Sequence, residues 1–429
     1  MSQKLSSATW RKTLDENAPW WGQMVDAAIA RLGVPLPESH AKKEMKESRL
    51  SWMSGDPILH SLDLLDDVLA IDPEPPFDAL QTRFIDSITS KWNGWPPFTR
   101  ASVLSCLRPW FWSEFIPLRT LLGDIFKAET HPVVLRYAVD RLVDLAWAKP
   151  TPEIPEFVRR ATTGGHADSL RRIAHVLGEA VACKLLPSPG AKASVLEGYY
   201  RECLDMDWPD AFALSDFLYG ALAGIVDTVQ NSETVSSGEV WRALLAEIDL
   251  IATRWPFDAL AANDHERFPV HVLLSLFRDK ASADERSGLF IGLAGTFETI
   301  LRSGDIPAFC TLHHELKGLI AGNHRFVRGR CEKQDGLQMN EAVEDVLPRL
   351  AKASVERVAT WKQEGKTTND HGWIDGLDGR DSSELVKCCL EASRDKSRMK
   401  RMLMPTADIL AAAGKSRVSG DLLAYLRKS

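Results

Sequence analysis

Along most of this chain an apolar side chain returns every three or four residues, and that spacing is the strongest constraint on its fold. Ile58, Leu62, Leu65 and Leu69 fall on one helical face while Asp63, Asp66 and Asp67 occupy the other, behind a capping Asp56 and a first-turn Pro57. Leu135, Ala138, Leu142 and Leu145 form a second stripe after Pro132, with Arg136, Asp140 and Arg141 pointing elsewhere. Ser236 with Glu239, and Ser282 with Glu285, have capping-box spacing. Each precedes a periodic run: Val240, Trp241, Leu244 and Ile248, then Leu289, Leu293, Phe297 and Ile300. Gly304 stops the second run, Asp305 caps the next (Phe309, Leu312, Leu316, Leu319), and Gly322 ends it. The run 268–277 alternates at Phe268, Val270 and Val272, but Leu273, Leu274 and Leu276 break the period of two, so it reads as buried helix. The expected fold class is all-α.

A chain of 429 residues exceeds what one hydrophobic core serves, so several domains or an elongated array is expected. Helix starts near Pro57, Pro97, Pro132 and Gly165 are about one helix pair apart. The stretch HPVVLRYAVDRLVDLA from His131 has proline at its start, an arginine in its first turns and small or aliphatic residues inward. It resembles one helix of a HEAT repeat. The resemblance implies stacked antiparallel helix pairs forming an α-solenoid, an extended curved surface and a macromolecular partner, in the first place a protein. The expected divisions are an N-terminal helical cap over 1–55, a repeat region over 56–330 and a smaller helical C-terminal domain over 331–429. That last region starts with a long helix from Asn340 containing Pro348, has its longest polar stretch at 362–383, and ends in short helices.

The net charge of −7 disfavours a protein that binds polyanions over its whole surface. Residues 1–12 hold no apolar core of a secretion signal, and no run of about 18 apolar residues points to a membrane span. Seven scattered cysteines do not form a disulfide framework, so the expected location is cytoplasmic. Fourteen tryptophans are expected to serve packing.

Fragments of catalytic and binding motifs occur, each incomplete. Gly365, Lys366 and Thr367 end like a phosphate loop, but Thr360 stands where the first glycine belongs. His314 and Glu315 begin a zinc-protease motif, but Gly318 stands where its second histidine must sit. Cys310, His313, His324 and Cys331 are the residues nearest to a zinc set, in a spacing that fits no standard finger. Asp375, Asp378, Asp381 and Glu384 are spaced three apart where calcium loops need two, and Asp381 reads better as a helix cap. Cys388 and Cys389 on a helix are expected to be ordinary thiols, one inward and one on the flank. No catalytic residue, cofactor or metal is assigned.

The basic groups remain: Arg325, Arg328 and Arg330, and the run Arg394, Lys396, Arg398, Lys400 and Arg401. Read blandly, they are solvated faces and helix C-terminal charges that suit the dipole. Read functionally, they are one nucleic-acid-binding face. The first expectation is therefore a non-enzymatic scaffold for a protein partner. The second is a nucleic-acid-binding accessory factor of a larger bacterial complex, of the kind that acts in mobile-element or antiviral defence. The third is a hydrolase or metal enzyme with a site assembled from distant residues.

Overall fold

The computed structural model describes residues 90–106, 116–147, 150–163, 166–185, 190–232, 238–260, 268–277, 283–303, 306–322, 336–365, 380–413 and 417–429, with positions 23, 27, 30 and 86. Among the described residues the regular structure is all helical, with no strand. The chain divides into two compact units, Met1–Leu177 with Gly190–Pro209, and Gly178–Pro189 with Asp210–Ser429.

Among the described residues of the first unit, after the short 3-10 turn Trp92–Gly94, come α1 (Pro97–Cys106), α2 (Ile116–Ala128), α3 (Pro132–Ala146), α4 (Glu153–Ala161), the start of α5 (Ala167–Leu185) and α6 (Ala191–Leu204). The stripe expected after Pro132 is the buried face of α3, where Leu135, Ala138, Leu142 and Leu145 are enclosed. Helix α1 packs on α3, while α4 packs on α2 and α6, with Phe126 and Phe157 edge to face at 5.0 Å. The corner between α2 and α3 is held by charge. His131 precedes α3 and gives no side-chain cap; Glu129 fixes the turn before the helix, accepting from the N–H groups of Thr130 (3.0 Å) and His131 (2.9 Å). The same buried carboxylate pairs with Arg100 at 2.8 Å, and Arg160 donates to the last carbonyls of α2, Ile125 and Glu129.

The second unit contains α7 (Ala211–Asn231), α8 (Gly238–Arg254), α9 (Phe257–Leu260), α10 (Val270–Ser275), α11 (Ala283–Gly292), α12 (Ala294–Ser303) and α13 (Ile306–Ala321). It ends with α14 (Glu341–Gln363), α15 (Arg380–Ala392), α16 (Lys396–Ala413) and α17 (Arg417–Lys428). Helices α8, α12, α14 and α16 pack in one succession; α10, α13, α15 and α17 pack in another, which α7 joins through α10. Helix α12 also meets α13, as α14 meets α15 and α16 meets α17. Helices before and after position 330 share this unit. Asn340 caps α14 by accepting from the Val343 N–H at 3.0 Å, and Pro348 lies inside that helix, as expected. Gly322 and Gly365 follow α13 and α14 with φ of 73° and 71°, the left-handed stop that glycine adopts without a Cβ clash. At Gly178 the end of α5 comes so close to α7 that a Cβ would stand 2.1 Å from the Ala221 carbonyl oxygen.

Some expectations change. The run from Glu285 to Ile300 is not one helix; it divides at Leu293, where Gly292 presses against Leu245 of α8 and a Cβ would meet that side chain. The stripe itself survives, since Leu289, Leu293, Phe297 and Ile300 are all buried. The C-terminal helices are longer than expected, 13, 18 and 12 residues. Asp381 lies inside the first turn of α15, which starts at Arg380, rather than capping it. Helix α7 is long and apolar enough to cross a membrane although Asp216 and Asp227 interrupt its apolar run; its Phe217, Leu218, Leu222 and Ile225 are buried in the unit. The cap over 1–55, apart from positions 23, 27 and 30, the helix over 56–69, and positions 366–379 of the polar stretch 362–383 lie outside the described residues.

Candidate functional site

The basic run sits at the beginning of α16, and a buried carboxylate of α14 fixes that beginning. Glu344 accepts from the Ser393 hydroxyl at 3.0 Å and from the N–H groups of Arg394 at 2.7 Å and Asp395 at 3.4 Å. Asp395 then accepts from the Arg398 N–H at 2.9 Å, capping α16. Arg394 therefore lies in the turn before the helix, and Lys396, Arg398, Lys400 and Arg401 in its first two turns. The run is therefore not a set of helix C-terminal charges, since cations at a helix N-terminus oppose the macrodipole, while the exposure of Arg394, Lys396 and Arg401 agrees with solvated faces.

The side chains of the run differ in what holds them. Arg398 pairs with Asp345 of α14, and Lys400 donates to the Arg427 carbonyl at 3.3 Å, near the end of α17. Arg394, Lys396 and Arg401 are exposed and have no side-chain partner among the described residues. The Lys400 contact brings in Arg427 and Lys428, exposed cations in the last turn of α17 that the sequence reading missed. Their signal was a basic ending on an amphipathic helix; their nearness to Lys400 had none. Arg325, Arg328 and Arg330 lie outside the described residues.

Beyond its cations α16 turns apolar on the outside. Met399, Leu403, Thr406, Ala407 and Leu410 are buried. On the other side Arg401, Pro405 and Ala412 are exposed, Ile409 is half-buried and Met402 is 38% exposed. Among the described residues the only other large apolar side chain so exposed is Val195 of α6.

The motif fragments on α13 to α15 form a packed seam. His313 is buried and stacks on Phe309 at 5.5 Å, and Phe309 meets Trp361 of α14 edge to face at 5.0 Å. Burial first, and then the Lys317 cation, push the His313 imidazole down to about 3, and its Nε2 has no hydrogen-bond partner. Lys317 crosses to Glu384 of α15 at 2.6 Å. Burial also raises the Glu315 carboxyl to about 7. Cys310 and Cys388 are half-buried and Cys389 is buried, with burial raising both thiols of the adjacent pair. A neutral imidazole stacked on phenylalanine and thiols held protonated form a packing set, unlike an activated nucleophile. Among the described residues no three His, Cys, Asp or Glu side chains are grouped to hold a metal; His324, Cys331, Asp375 and Asp378 lie outside them. Gly365 is the stop of α14, which accounts for it without a phosphate. No protein-family model, curated protein or solved structure matches this chain.

Proposed function

We propose that this chain is a non-enzymatic scaffold of stacked helix pairs that binds a protein partner at the start of α16. The observation that carries the reading is a cationic run at the positive end of a helix. Lys396, in the first turn, costs roughly 0.3–1 kcal/mol at low salt, and Arg394, Lys396 and Arg401 are exposed without a side-chain partner among the described residues, so that an external anionic surface could use them. The exposed Met402 and Pro405 next to them favour a protein over bare phosphates. The two successions of helices in the second unit support a repeat architecture, in which each helix meets its counterpart in the next pair.

Affinity capture from native extract treated with nuclease should recover a stoichiometric partner. The Lys396→Glu, Arg401→Glu double variant should lose it while keeping the helical circular-dichroism spectrum. Capture unchanged by the charge reversal would sink the reading.

A second reading, nucleic-acid binding as an accessory factor of a larger complex, is favoured by Lys400 reaching the Arg427 carbonyl at a helix end where Arg427 and Lys428 are exposed. It requires duplex or single-stranded binding that weakens with salt by a log–log slope of about −0.7 to −0.9 per neutralised phosphate, and that is lost in the triple variant Arg398→Glu, Lys400→Glu, Arg401→Glu. Indifference to salt and to those substitutions would exclude it.

A further inference from the structure

We draw no further inference here: the strongest candidate, the side-chain cluster of His313, Lys317, Glu384 and Cys388 between α13 and α15 with the buried Nε2 of His313 unpartnered, belongs to the packed seam already described, and among the described residues no three ligating side chains are grouped there to hold a metal.

Discussion

Replacing His313 with phenylalanine should make the second unit resist acid. The imidazole ordinarily titrates near 6.5 and is held at about 3 in the folded chain, by burial first and then by Lys317 and His314, with Glu384 opposing. Between those values the unfolded chain takes a proton that the folded chain refuses, so stability falls as the pH drops. From pH 7.5 to 5 this is about 1.5 units below the unfolded pKa, which amounts to roughly 2 kcal/mol. Glu315 works in the opposite direction. Its carboxyl is raised to about 7, so the folded chain gains a proton first and stability rises as the pH falls towards about 4.5. That contribution is common to both proteins and cancels in their difference. The phenylalanine ring keeps the stack on Phe309 and removes an Nε2 buried without a partner, which adds an offset independent of pH. The assay is native-state hydrogen exchange on amides of α13, taken as the ratio of variant to wild type at each pH so that intrinsic rates cancel. The ratio of opening constants should widen about 30-fold between pH 7.5 and 5. A ratio unchanged to within about twofold would refute the assignment of a buried neutral imidazole.

Gly178→Ala drives a Cβ against the backbone of α7 at Ala221, and a main-chain oxygen has no rotamer by which to yield; it should destabilise the second unit by more than about 3 kcal/mol. A loss below about 1 kcal/mol in urea unfolding would show that the two helices separate easily. Glu344→Ala should strand the Ser393 hydroxyl and the N–H groups of Arg394 and Asp395, at a cost of about 2–4 kcal/mol. Exchange at residues 394–399 should quicken accordingly, with Glu344→Gln recovering part of the loss; equal rates in all three proteins would remove Glu344 from its capping role.

What the sequence made legible was local. Pro132 opens α3, Asn340 caps α14, Gly322 stops α13, and the run 268–277 holds a helix with Val270, Leu273 and Leu274 buried, because each is decided by residues within one or two turns. The run 394–401 was visible as charge, yet its place at the start of a helix depends on Glu344, some fifty residues earlier in the chain, receiving the turn at Ser393 to Asp395. No spacing rule connects them. The Lys400 contact with Arg427 and the closure of Trp361 over Phe309 are hidden for the same reason: periodicity says which face is greasy, and says nothing about which face it will meet. The division at Leu293 was missed because the stripe runs straight through it, while the cause, Gly292 yielding room to Leu245, lies in another helix.

The corner at Glu129 has a consequence for how the first unit comes apart. One carboxylate holds the turn that leads into α3 and neutralises a guanidinium from α1, while Arg160 of α4 grips the neighbouring carbonyls. Four helices thus share a single knot, and fraying any one of them exposes charge that the other three had kept from water. Those four helices should melt as a block, the weakest of them no less protected from proteases than the strongest.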